Sequence, residues 1–369
     1  MRIAFVVNTY PPRLGGLEQH LLHLTQGLAE LGHEVTVLTI GSPTGKRKDG
    51  PVTALTGAAH FLVADVISFP SLGSRRRITK FLREGGFDVV SVHTRFFPMT
   101  FVGMRAARAA GLPVVHTEHG AGFVENNSPI IALASRLVDL TLGSYVLRHA
   151  NRVLAVSDES ATFARRLGAR ETSIFYNAIP ALPHPVTIMD RPEHLVFVGR
   201  LVQGKGWDTY LDVVSALRRD GYNVDGEMLG DGADMDAARE RVDALGLSDV
   251  VTLRGRCSPD QVYEALQGAT LIYPSVLAEG FGIVLLEAMA AKGRAVAFSG
   301  PGAIALQRES LPLVITGEKT TESLIEATKS YLKNPPPPAT DNLIEAWTWP
   351  QRVREYAEIL EQVRTGQSS

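Results

Sequence analysis

The opening forty residues constrain the fold more than any other stretch. Arg2–Asn8 (RIAFVVN) is a short apolar run that stops at Thr9–Gly16, a loop with two prolines and two glycines. Leu17, Leu21, Leu24, Leu28 and Leu31 then recur at three- and four-residue spacing, which predicts an amphipathic helix. Gly32 ends it, and Glu34–Ile40 (EVTVLTI) reads as the next strand. Strand, helix and strand in so short a span is a βαβ unit, so the strands pair in parallel through a right-handed crossover. Further strand-like runs fall at Val89–Val92, Val114–Thr117 and Arg152–Val156, so the first half predicts an open α/β sheet.

The plan then restarts. Pro180, Pro183, Pro185 and Pro192 punctuate Ile179–His194, the expected linker. Beyond it, His194–Val198 reads as a strand, Gly199–Trp207 as a glycine-rich loop and Asp208–Arg219 as a helix. Strand-like Asp225–Leu229, Val250–Arg254, Ala269–Tyr273 and Arg294–Phe298 follow. A Pro335–Pro338 tract precedes an amphipathic helix over Trp349–Arg364. The expected domains are therefore 1–185, 186–348 and a terminal helix, 349–369. At 369 residues, two cores are also what the chain length suggests. In sheets of this kind ligands bind beyond the carboxyl ends of the strands, here on two sheet edges expected to face one cleft.

Composition removes several classes. Apolar residues make up 45% and charged residues 21%, as in an ordinary globular protein. Cys257 is the one cysteine, so neither an intrachain disulfide nor a Cys-based zinc site fits. No apolar stretch reaches the roughly 18 residues of a membrane span. Met1–Tyr10 does not read as a signal peptide, so a soluble, cytoplasmic protein is expected. The net charge of −2 conceals +6 over residues 1–185 and −8 over the remainder, as though the halves met different partners. Lys46–Lys48 and Arg75–Arg77, both expected in loops, are candidates for docking an anionic acceptor or an anionic membrane. No arginine stripe interleaved with aromatics points to nucleic acid.

Chemistry concentrates in a few segments. In Ser275–Ala290 (SVLAEGFGIVLLEAMA), Glu279 lies in a glycine-rich loop and Glu287 inside an apolar helix, where a carboxylate needs a reason. Gly280 and Gly282 allow backbone amides to approach a phosphate or sugar, and a helix N-terminus there attracts anions. The two glutamates can accept hydrogen bonds from hydroxyls at either end of a nucleotide sugar. Phe197–Trp207 (FVGRLVQGKGW) places Arg200 and Lys205 in one loop, a pairing suited to a diphosphate. His116 and His119 bracket Glu118, but residues three apart on a strand point to opposite faces, so a shared metal would need the turn to begin between them. Asp234-Met235-Asp236 spells a D-x-D, yet it opens a helix, and no metal is expected there.

Together, YPPRLGG (Tyr10–Gly16), HTEHG (His116–Gly120), AVSDES (Ala155–Ser160), YNAIP (Tyr176–Pro180), FVGRLVQGKG, GDG (Gly230–Gly232), LRGR (Leu253–Arg256) and the Glu279–Glu287 segment resemble the retaining GT-B glycosyltransferases often called family 4. The resemblance implies two Rossmann-like domains and a terminal helix crossing back to the first. It implies a UDP- or GDP-linked sugar as co-substrate, no other cofactor, and a hydroxyl acceptor that is a glycan, a lipid-linked sugar or a small molecule. Glu287 would hold the ribose hydroxyls and Glu279 those of the transferred sugar. The amides of Gly280, Phe281, Gly282, Ile283 and Val284 would contact sugar and phosphates. Arg200 and Lys205 would clamp the diphosphate, with Gly15 and Gly16 closing on it. Arg256 and Cys257 would face the base, and His119 matches the active-site histidine. The chain departs from the family after Arg294–Phe298, where SGPGAIALQRESLPLVITG lacks the usual glycine-rich turn with a glutamate. Three rival readings are a nucleotide-sugar epimerase, a catalytically silent nucleotide-sugar binder and a dinucleotide oxidoreductase. The last lacks a G-x-G-x-x-G after the first strand.

Overall fold

A computed structural model describes residues 1–13, 15–63, 67–123, 129–180, 190–277 and 281–367. The chain divides into two units, Met1–Pro180 with Trp349–Ser369, and Ala181–Thr348. The first unit holds β1 (Arg2–Val6), α1 (Gly16–Glu30), β2 (Glu34–Gly41), β3 (Gly45–Asp49), β4 (Val52–Val63), β5 (Ile67–Pro70), α2 (Ser74–Glu84), β6 (Val89–His93), α3 (Pro98–Ala110) and β7 (Val114–Glu118). α4 (Pro129–Val138), a π-helical turn at Asp139–Gly143, α5 (Ser144–His149), β8 (Arg152–Ala155), α6 (Asp158–Arg166) and β9 (Thr172–Ile174) follow. The second unit holds β10 (His194–Val198), α7 (Trp207–Arg219), β11 (Asp225–Leu229), α8 (Met235–Ala244), β12 (Val251–Gly255), α9 (Pro259–Leu266), β13 (Thr270–Tyr273), α10 (Ile283–Ala290), β14 (Arg294–Ala297), α11 (Pro301–Arg308), β15 (Leu313–Ile315), α12 (Thr321–Lys333) and α13 (Asp341–Glu345). The last helix, α14 (Trp349–Thr365), belongs to the first unit.

Both units are built on doubly wound sheets. The second sheet runs β12-β11-β10-β13-β14-β15, wholly parallel, the strand order in which the chain reverses direction between β10 and β13. The first repeats that plan as β4-β2-β1-β6-β7-β8-β9, with β3 and β5 added antiparallel to β4. Alternation along β1 shows why both faces are covered. Ile3 and Phe5 pack with Leu21, Leu24 and Leu28 of α1 and with Val353, Tyr356 and Leu360 of α14. Ala4 and Val6 pack with Met104, Ala106 and Ala107 of α3. A Cβ at Gly27 of α1 would lie 2.6 Å from Val353, so α14 seats against α1 with no room to spare. In the second unit Leu195 and Phe197 of β10 are buried with Leu211 and Val214 of α7 and Leu324 and Tyr331 of α12.

Two expectations are corrected. Lys46–Lys48 form most of β3 and Arg75–Arg77 the first turn of α2, so neither basic cluster is a loop. β3 is an edge strand with Lys46 and Lys48 exposed, and such an edge shows no hydrophobic alternation to read. α2 has Leu82 as its one fully buried residue, too little for a helical stripe to be visible. No helix of the described residues is long and apolar enough to cross a membrane.

Candidate functional site

In the second unit the strand-order reversal brings two loops together. The loop after β10 carries Arg200 and Lys205, and the segment after β13 leads into α10. The Val276 N–H donates to Gly204 O at 2.9 Å, joining them. Gly206, at φ +79°, caps α7, and a Cβ there would lie 2.5 Å from Pro274 O. No L-residue with a side chain fits that position. Gly230–Gly232 supports the same loop from the other side. Gly199 N–H donates to Leu229 O at 3.0 Å and Leu201 N–H to Asp231 O at 3.1 Å. Arg200 is exposed and Lys205 half-buried.

Gly282 caps α10 at φ +78°, so Ile283 and Val284 sit in the free first turn of that helix, where amides have no intrahelical partner. Phe281 is buried with its ring 5.7 Å from that of Trp347. Glu287 is half-buried among buried neighbours on α10. Burial pushes its carboxyl upward, and no described group donates a hydrogen bond to it. A desolvated carboxylate of this kind gains from external hydroxyl donors. Arg256, exposed, and Cys257, half-buried, follow β12 at the same carboxyl edge of the sheet. Glu279 and Gly280 lie outside the described residues. Asp234 and Asp236 part company: Asp234 accepts from the Trp207 indole N–H at 3.0 Å, and Asp236 pairs with Arg239 at 2.7 Å.

In the first unit His119 follows β7 directly, and two residues the sequence reading overlooked meet it. His93 ends β6 and places Nδ1 3.2 Å from His119 Nε2. His20 of α1 stands edge-on to His119, ring centres 4.7 Å apart, and its Nδ1 lies 3.2 Å from Asn177 Oδ1. His20 and His93 are buried and His119 is partly exposed. Burial first, and then the neighbouring imidazoles, hold His20 and His93 well below their ordinary value. Burial also brings His119 down to about 4, so all three rings are neutral at pH 7. Nitrogens of the three lie within 4.8 Å of one another, the one such trio among the described residues. The 3.2 Å contact makes the His93–His119 pair a hydrogen bond. Histidines ending adjacent parallel strands (VVSVH and HTEH) were the available signal, because such ends converge on one edge.

Beneath His119 lies a buried ion cluster. Arg95 is 0% exposed and donates to Glu118 Oε1 at 2.7 Å, Asp139 Oδ2 at 2.9 Å and Gly122 O at 2.8 Å. Burial alone would raise the Glu118 carboxyl. Arg95 and the His116 and Gly120 N–H donors, at 3.1 and 2.9 Å, bring it down to about 2. Among the described residues Asp139 has Arg95 alone and its buried Oδ1 has no partner, and burial pushes the carboxyl upward. Gly15 precedes α1 and Gly16 begins it. Glu18, buried in the first turn, accepts from Thr9 and pairs with Arg13 at 3.6 Å, pinning the loop after β1.

Two family models cover most of the chain. Residues 14–181 match the model described as Glycosyltransferase Family 4, and residues 180–347 that described as Glycosyl transferases group 1. The chain belongs to the family 4 glycosyltransferases. Among curated relatives of this glycosyltransferase, the phosphatidylinositol N-acetylglucosaminyltransferase GPI3 subunit of Saccharomyces cerevisiae is 27% identical over 305 residues, 78% of this chain and 65% of that protein. The phosphatidyl-myo-inositol mannosyltransferase of Mycolicibacterium smegmatis is 29% identical over 297 residues, 77% of this chain and 72% of that one. The chain thus spans just under two thirds of the length of the first of these. Anabaena HepE, solved in complex with UDP, superposes with a TM-score of 0.74 at 19% identity, over 98% of this chain and 100% of that one. That likeness shows the fold, the GT-B arrangement of two parallel α/β domains.

Proposed function

We propose that this glycosyltransferase moves a sugar from a nucleoside diphosphate sugar to a hydroxyl acceptor with retention of configuration. One observation carries the reading. At the strand-order reversal of the second unit, a loop bearing Arg200 and Lys205, the first turn of α10 and the carboxylate of Glu287, which has no donor among the described residues, lie on adjoining segments. These groups suit a diphosphate, a sugar and ribose hydroxyls in turn. UDP in the Anabaena neighbour supports a UDP- or GDP-linked donor.

In the reaction the bond from the anomeric carbon to the diphosphate oxygen breaks, and a bond from that carbon to the acceptor oxygen forms. The departing phosphate oxygen takes the acceptor proton on the same face. Arg200 and Lys205 stabilise the charge that develops on the diphosphate, while Glu279 and the amides of Gly280, Phe281, Gly282, Ile283 and Val284 hold sugar and phosphates. Gly15 and Gly16 approach the phosphates, and Arg256 and Cys257 face the base. Neutral His119 meets the transferred sugar. No step calls on a metal.

A pocket of about 500 Å³ in the first unit, lined by Asn8, Thr9, Tyr10, Arg13, Thr39, Arg47 and His60 among others, is suited to a polar acceptor. The yeast and mycobacterial relatives are named for phosphatidylinositol, which supports a lipid-borne acceptor. On α2, Arg75, Arg76, Arg77, Lys80 and Arg83 are exposed, close in sequence to Phe69, 42% exposed, and Leu72, 98% exposed. Exposed cations with apolar tips suit a peripheral seat on an anionic membrane.

A thermal-shift screen with uridine, guanosine and adenosine diphosphate sugars identifies the donor. Glu287→Ala is then expected to weaken that donor by about 10- to 100-fold by calorimetry, the scale of hydrogen bonds to a charged group. Unchanged affinity would remove the ribose assignment. Replacing Arg75, Arg76 and Arg77 together by alanine is expected to cut co-sedimentation with phosphatidylserine vesicles by roughly 100-fold, at about 1 kcal/mol per cation. Equal sedimentation of variant and parent would remove the membrane seat.

A further inference from the structure

A line of hydrogen bonds runs from the last helix of the chain to His119. Tyr356 on α14 has its hydroxyl 2.8 Å from Ser91 Oγ, and Ser91 Oγ is 3.0 Å from His93 Nε2. His93 Nδ1 is 3.2 Å from His119 Nε2. Tyr356 and Ser91 are 0% exposed and His93 1%, so no solvent enters the line before its last member. Each neutral imidazole donates through one nitrogen and accepts through the other, so the sense of one link sets the sense of the rest. The phenol is the stronger acid of the two hydroxyls, and an imidazole nitrogen is a better acceptor than either. The favoured sense therefore starts with Tyr356 donating to Ser91, continues with Ser91 donating to His93 Nε2, and ends with His93 Nδ1–H donating to His119 Nε2.

We infer that Tyr356, Ser91 and His93 are positioning residues that lock His119 as its Nδ1–H tautomer, so that the protein offers the transferred sugar a hydrogen-bond donor of fixed direction. No described residue takes Nδ1, and His119 is the one partly exposed member of the line. His20, edge-on to the ring and pinned by Asn177, blocks rotation of the imidazole from the side. Tyr356 stands on a helix that enters the first unit only after the chain has completed the second, so the orientation of a first-unit histidine depends on the last segment to be made. The inference rests on the reading that His119 meets the sugar.

The test uses the full chain labelled with ¹⁵N-histidine. Long-range ¹H–¹⁵N spectra of the parent, assigned with His119→Gln, are expected to show His119 Nε2 unprotonated and Nδ1 protonated. In Tyr356→Phe and Ser91→Ala the His119 signals move toward a mixture of tautomers. Turnover of the donor found by the screen falls about tenfold, with KM for that donor within about twofold, the scale of one misdirected hydrogen bond. The double variant is no slower than Ser91→Ala alone, because both cut one line. An Nε2–H tautomer in the parent overturns the inference, as do His119 signals that neither variant moves, or losses that multiply in the double variant. Should Ser91→Ala fail to fold, the parent spectrum and Tyr356→Phe decide. His119→Ala judges the underlying reading separately: intact transfer there removes the catalytic role whatever tautomer the spectrum shows.

Discussion

Glu118→Ala is expected to cost the first unit about 3–5 kcal/mol, the range found when one partner of a buried ion pair is removed. Arg95 is wholly buried, and the substitution strips it of its 2.7 Å partner while leaving Asp139, whose carboxyl burial already pushes upward. Among the described residues Asp139 meets Arg95 through Oδ2 alone, at 2.9 Å, so the pairing that survives the substitution is a single contact. The N–H groups of His116 and Gly120 also lose their acceptor. Glu118→Gln keeps the shape and an acceptor oxygen but not the charge, so its cost is smaller. Urea titrations of the parent and both variants should show the midpoint falling in that order. A Glu118→Ala midpoint indistinguishable from the parent would mean that the cluster contributes nothing net. Because His119 and Gly120 follow Glu118 directly, donor turnover should fall along with stability.

The second large effect is a loss of stability on mild acidification. His20 and His93 are held neutral in the folded chain, with proton affinity far below the unfolded value near 6.5. Below that value the unfolded chain binds protons that the folded chain refuses, so their stabilisation is complete above about pH 6.5 and falls as pH drops. Each group contributes a limiting slope of about 1.4 kcal/mol per pH unit, and with His119, held at about 4, the three rings give roughly 4 kcal/mol per unit between pH 6 and 5. Glu118 acts in a lower window. Its carboxyl is at about 2 when folded against 4.5 as the reference, so its contribution is intact above pH 5 and disappears between there and pH 2. Urea midpoints measured from pH 7.5 to 5.0 should therefore fall before Glu118 titrates, and His93→Asn should flatten the slope by about a third. A midpoint constant across that interval would contradict the neutral state of the buried imidazoles.

What could be read along the chain was what depends on near neighbours. The stripe Leu17–Leu31, the run EVTVLTI and the restart at His194–Val198 each carry their own periodicity, and each lies on the element it predicts. The glycines of FVGRLVQGKG and EGFG mark loops because backbone geometry is a local property, and Gly206 and Gly282 do adopt positive φ. β3 and α2 escaped because neither buries enough to leave a pattern. β4, with Gly57 and three alanines in VTALTGAAHFLV, is a strand through its pairing with β2 more than through its own residues.

The sequence by itself therefore determined two α/β sheets, the loops that carry Arg200, Lys205 and His119, and the helix that carries Glu287, because side-chain period and turn chemistry act over a few residues. Tertiary structure alone decided the company those residues keep. Arg95 finds Asp139 forty-four positions away, and Ser91 finds Tyr356 two hundred and sixty-five away. A buried polar group must be paired by whatever the packed strands and helices bring within 3 Å of it, and that distance is a property of the folded chain.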